Sequence, residues 1–94
     1  MFILSLTYVK PSEDADRLMQ PHMDWVNAGY ESGLFLASGR KNPRTGGVIL
    51  AKGDRAAIET YAASDPFVIE GIAICDVTEV VVSRAAAGLE GLKD

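Results

Sequence analysis

Cysteine and histidine occur once each in this 94-residue chain. A single cysteine cannot close an internal disulfide, and with one histidine it cannot build a Cys/His zinc site. No D-x-[DN]-x-[DN]-G loop marks a calcium site, and neither G-x-G-x-x-G nor G-x-x-x-x-G-K-[ST] marks a nucleotide site. No metal and no cofactor are therefore expected. Basic residues are also scarce: 9 Lys+Arg face 13 Asp+Glu, a formal charge of −4. That balance speaks against a nucleic-acid binder, which needs a basic face. Long apolar runs are missing too. Val48-Ile49-Leu50-Ala51 is far short of the ~20 residues that span a bilayer. No N-terminal segment joins a basic stretch to an apolar one as a signal peptide does. A cytoplasmic protein with no membrane partner is expected, with Cys75 a buried small hydrophobe in a reducing compartment.

What is present is a chain 48% hydrophobic and 23% charged, ordinary for one globular domain. Phe2 to Val9 alternates as a strand, with Phe2, Leu4, Leu6 and Tyr8 on one face and Ile3, Ser5, Thr7 and Val9 on the other. Pro11-Ser12 opens a helix whose first turn is acidic (Glu13, Asp14, Asp16), where the helix dipole favours negative charge. Its apolar stripe, Ala15, Leu18, Met19, His22, Val26 and Gly29/Tyr30, runs to about Glu31. Pro21 predicts a kink just before His22, and Gly33 is the stop. Strands follow over Leu34–Ser38 and Gly47–Lys52, joined by a loop from Gly39 to Gly47. Asp54 caps a second helix with Ala57, Ile58, Tyr61 and Ala62 inward. Asp65-Pro66 opens a further short turn, Ile72 to about Val82 is the fourth strand, and residues 85–94 form a loosely held tail after a domain over 1–84.

The order β-α-β-β-α-β predicts an α+β, ferredoxin-like fold, a four-stranded antiparallel sheet with both helices on one face. The other face would carry Ile3 and Val9 from the first strand and Ala73, Cys75, Val77 and Val81 from the fourth. That is too apolar for water, so a homodimer with sheets packed face to face is expected, or a higher oligomer built on it.

Few side chains offer chemistry. His22 is either a core histidine satisfied by one hydrogen bond or a general acid/base, for which an imidazole is suited near neutrality. Asp65 is either an N-cap alone or the partner that fixes the imidazole tautomer. No local spacing links the two; the shared helical face only permits their meeting. Ser38 and Gly39 end the second strand, as ordinary turn residues or as a hydroxyl and an N–H aimed into a pocket. Arg44 is either solvated or a clamp for a carboxylate or phosphate. Tyr8 is either core or a phenol at the same rim. Cys75 has no basic neighbour in sequence to activate it.

Several segments occur in a telling order: Phe2-Ile3-Leu4-Ser5-Leu6-Thr7-Tyr8, His22, Phe35-Leu36-Ala37-Ser38-Gly39, Gly46-Gly47-Val48-Ile49-Leu50-Ala51, Asp65-Pro66-Phe67 and Gly71. Together, over about residues 1 to 84, they resemble the YciI-like (YCII-related) family of the dimeric α+β barrel superfamily. The resemblance implies a ferredoxin-like fold, face-to-face dimers and an active site on a His–Asp pair, here His22 and Asp65, with Ser38 lining the same pocket. One branch resembles enzymes that eliminate HCl from chlorinated hydroxylated aromatics; superfamily relatives include lactone isomerases and small monooxygenases. The expected function is metal-free acid/base chemistry (isomerisation, elimination or lactone type) on a small cyclic or aromatic molecule. The competing expectation is a non-catalytic dimer that binds a small ligand or another protein.

Overall fold

The alternation of the first strand decides where the core lies. In the computed structural model, which describes residues 1–93, β1 runs Phe2–Tyr8 with Phe2, Leu4 and Leu6 buried. It is central in a single sheet among the described residues. β3 (Gly46–Ala51) and β4 (Ala73–Glu79) flank it, and β2 (Phe35–Arg40) lies beyond β3. Neighbouring strands are antiparallel throughout. The helices α1 (Ser12–Arg17), α2 (Met19–Glu31), α3 (Arg55–Ala62) and α4 (Pro66–Ile69) complete the ferredoxin-like α+β order. Trp25, Val26, Ile58, Ala62 and Phe67 from these helices share one core with the even residues of β1.

The strand register corrects one expectation. Residues directly opposite in an antiparallel pair point to the same face. Leu4 faces Val77, Leu6 faces Cys75 and Tyr8 faces Ala73, so the odd residues of β4 pack toward the helices, not on the open face. Ile74, Asp76 and Thr78 take the open face with Ile3, Ser5 and Thr7. Val48 and Leu50 join them across from Ser5 and Ile3. Val9 and Val81 lie past the ends of their strands.

The long first helix is two helices. The break falls at Leu18 (φ −107°, ψ 12°), before Pro21 rather than beside it. A proline ring crowds the carbonyl four residues back, here that of Arg17, and has no N–H to give it. Breaking at Leu18 leaves Pro21 in the first turn of α2, where no donor is required. His22 N–H then donates to Leu18 O at 3.0 Å.

The crossing of β1 and β3 requires Gly46. Its φ is 152°, and a Cβ there would lie 1.8 Å from Leu6 O. β2 runs two residues further than predicted, to Arg40, which leaves only 41–45 as loop. In α3 the Asp54 carboxylate accepts from Ala57 N–H at 3.2 Å. Ile58 and Ala62 are buried, but Ala57 is exposed rather than inward. Asp54→Ala is expected to destabilise by about 1 kcal/mol and Asp54→Asn to be neutral. Urea midpoints compared at constant slope would check this.

Beyond β4, Val80 N–H donates to Met1 O at 2.8 Å. In the tail, Lys52 Nζ donates to Gly91 O and Lys93 O at 2.8 and 2.6 Å, beside a 3₁₀ turn over Glu90–Leu92. Asp94, the last residue of the tail, lies outside the described residues. No helix among the described residues is long and apolar enough to cross a membrane.

Candidate active site

Two helix starts converge on one imidazole. The break at Leu18 sets His22 in the first turn of α2. Asp65-Pro66 starts α4 in the expected way, with Asp65 as N-cap, Pro66 at N1, and Asp65 Oδ1 accepting from Phe67 N–H at 3.0 Å. The same oxygen lies 2.8 Å from His22 Nδ1, across 43 residues of sequence. Asp65 is 0% exposed and the His22 side chain 13%. An ionised carboxylate can only accept, so opposite it Nδ1 carries a proton; in the neutral imidazole the lone pair then lies on Nε2. Among the described residues Nε2 has no hydrogen-bond partner.

Aromatic packing fixes the ring. Phe67 stacks on it at 4.0 Å and 6°, and Trp25 more distantly at 5.7 Å and 28°. Trp25 is itself tied to α3 and the turn after it. Its Nε1–H donates to Tyr61 O and Ser64 Oγ, at 3.1 and 3.0 Å, and Tyr61 O–H donates to Trp25 O at 2.6 Å. Asp65 Oδ2 is buried with no partner, a desolvation cost of about 1–3 kcal/mol. Burial, followed by the charge of Asp65, raises the Tyr61 phenol above its ordinary pKa. Burial chiefly, then Asp65 and Asp76, pushes the Cys75 thiol up to about 11. It stays neutral and unreactive near pH 7, because the thiolate is the nucleophile.

Beside the imidazole opens a cavity of about 470 Å³. Leu6 and Tyr8 line it from β1; Met19, His22, Met23 and Val26 from α2; Ser38, Gly39 and Arg40 from β2; Gly46, Gly47, Val48 and Ile49 from β3; and Arg44 and Phe67 complete the wall. Tyr8, Ser38, Gly39 and Arg44 thus meet His22 around one space. Asp65 is not in the wall; it holds the imidazole from the interior. The Ser38 hydroxyl pairs with Tyr30 O–H at 2.7 Å. Arg44 is not free: its Nη2 donates to Asp16 Oδ1 at 2.6 Å, and its guanidinium carbon lies 5.8 Å from the Tyr8 ring centroid. That hydrogen bond to Asp16 is the main reason its pKa is raised.

Sequence reasoning missed Arg40, Met23 and Phe67 as wall residues. Arg40 had a signal: it lies two residues past Ser38, so in a continued strand it shares that face. No serine, threonine or cysteine side chain hydrogen-bonds to His22 among the described residues, so no nucleophile–base pair is built. The arrangement is an imidazole held by a buried carboxylate, at the edge of a mainly apolar cavity with few polar groups. Small-molecule sites have this character.

The family model of the YCII-related domain matches residues 1–81. No curated protein matches the chain.

Proposed function

We propose that this chain, which belongs to the YCII-related family, is an enzyme in which His22 moves a proton on a small cyclic or aromatic substrate. One observation carries this: an imidazole bonded through Nδ1, at 2.8 Å, to a fully buried carboxylate, on a histidine that lines the cavity and whose Nε2 has no partner among the described residues. In the reaction the Nε2 lone pair takes a proton from an acidic C–H. The C–H electron pair passes into the adjacent unsaturated system, and Asp65 stabilises the imidazolium that forms. Return of that proton to a different carbon gives isomerisation; departure of a leaving group gives elimination. The rings of Tyr8 and Phe67 and the thioethers of Met19 and Met23 suit a flat, apolar substrate body.

The test is to incubate the protein in D₂O with cyclic 1,3-diones, butenolides and chlorinated hydroquinones, reading exchange, isomerisation or chloride release. Turnover of at least one compound, absent from His22→Gln, is expected. A panel left untouched by the wild type counts against the proposal.

The working unit we propose is a homodimer in the cytoplasm, closed over the open sheet face. Ile3, Val48, Leu50 and Ile74 supply its apolar surface, with Ser5, Thr7 and Asp76 among them; Ile74 is 53% exposed in the single chain. Sedimentation is expected to give twice the chain mass of 10.1 kDa for the wild type and a monomer for Ile74→Glu. A wild type that stays monomeric at all concentrations rejects this assembly.

A further inference from the structure

The charges around the cavity run opposite to those of the chain. The protein as a whole is acidic at −4, yet among the described residues the cavity wall holds two arginines and neither aspartate nor glutamate. Arg44 is occupied by Asp16. Arg40 has no carboxylate within ion-pair distance among the described residues, and the neighbouring Lys41 is turned to Thr7, donating to its Oγ1 at 3.0 Å.

Strand pairing fixes the face of Arg40. Ser38 lies opposite Ile49 and Arg40 opposite Gly47. Ile49 is core, so Arg40 stands on the helix side of the sheet, the side of His22. The residue across from it is a glycine. A Cβ on Gly47 would meet Gly39 O at 3.1 Å, a tight contact, so the position opposite Arg40 carries no side chain of its own. Among the described residues the wall therefore presents an unpaired cation opposite a glycine at one part of an apolar cavity and an imidazole at another.

We infer that the cavity takes a substrate bearing one carboxylate, held by the Arg40 guanidinium while its apolar body lies against Met19, Met23 and Phe67. This inference rests on the reading of His22 as the base, to which it adds the substrate class. A guanidinium matches a carboxylate with two parallel N–H···O bonds. One unpaired cation also balances one negative charge. A phosphate dianion would leave a charge uncompensated over apolar side chains, where it is costly.

The experiment titrates the 94-residue chain with benzoate, following the single imidazole by NMR, with benzyl alcohol and inorganic phosphate as comparison probes. Benzoate is expected to bind saturably and to shift the His22 signals. It should bind about tenfold more weakly to Arg40→Gln, with Arg40→Lys between, because lysine keeps the charge and loses the fork. Benzyl alcohol should bind the wild type more weakly than benzoate. Arg40 is on an exposed stretch of an edge strand, so matching melting temperatures are expected and would exclude misfolding as the cause. Equal benzoate affinity in wild type and Arg40→Gln, equal affinity for benzyl alcohol, or displacement of benzoate by a lower concentration of phosphate each overturns the inference. The readout needs no turnover. Arg40-independent binding removes the carboxylate and leaves the base standing. Arg40-dependent binding in a protein inert toward the substrate panel and toward carboxylate-bearing analogues of its members supports the carboxylate and removes the base.

Discussion

His22→Gln is expected to slow proton transfer by roughly 10²–10⁴-fold, the usual contribution of a positioned general base. Glutamine is close in size and its amide can still reach Asp65, but it has no basic lone pair at the position of Nε2. The loss cannot be taken up elsewhere. The chain has no second histidine, and burial keeps the Cys75 thiol protonated. Stability should change little by comparison. The ring's stacking on Phe67 at 4.0 Å is worth about 0.5–1.5 kcal/mol, a fall of several degrees in melting temperature for a domain of this size. A folded variant assayed at 25 °C therefore separates the two effects. Full activity in His22→Gln would remove the imidazole from the mechanism, leaving it a core residue whose ring happens to border the cavity.

Local periodicity carried most of the fold. The even residues of β1 are buried as their alternation predicts, and both Asp54 and Asp65 cap helices where Asp followed by a helical stretch says they should. One error falls where a long-range partner decides. The face of β4 depends on which residues of β1 it pairs with, and a one-residue slip inverts every side chain; only the Leu6–Cys75 and Leu4–Val77 pairing settles it. The helix break at Leu18 was displaced because proline acts on the carbonyl four residues before it, not at its own position. Residues 39–47, dense in Gly, Pro, Asn, Lys and Arg, read as loop, whereas pairing with Gly47 carries β2 on to Arg40. The His22–Asp65 contact was not derivable from either segment alone. Each had a complete local explanation, an amphipathic stripe and an N-cap, and only the family resemblance joined them across 43 residues.

Asp65→Asn is expected to separate those two roles, with an effect on turnover nearly as large as removal of the imidazole and none of the corresponding loss in stability. Wild-type Asp65 is fully buried. It has one oxygen shared between Phe67 N–H and His22 Nδ1 and the other with no partner among the described residues. A buried carboxylate costs several kcal/mol unless its partners compensate, and here one oxygen has none. Asparagine accepts from Phe67 N–H equally well and caps as strongly as aspartate, while removing the buried charge. The melting temperature of Asp65→Asn should therefore match or exceed that of the wild type. Catalysis should fall by roughly 10²-fold or more, because a neutral amide neither stabilises the imidazolium nor enforces the Nδ1–H tautomer; its NH₂ group can donate to Nδ1 and move the proton to Nε2. Asp65→Ala should lose both functions. Phe67 N–H is then left unsatisfied at about 1–3 kcal/mol, and the imidazole loses its anchor. Thermal melts and exchange rates on the same three proteins decide the matter. An Asp65→Asn variant as active as the wild type would make Asp65 a cap and nothing more. A variant that is stable but slow would show that the chain buries a poorly satisfied charge because the imidazole needs it.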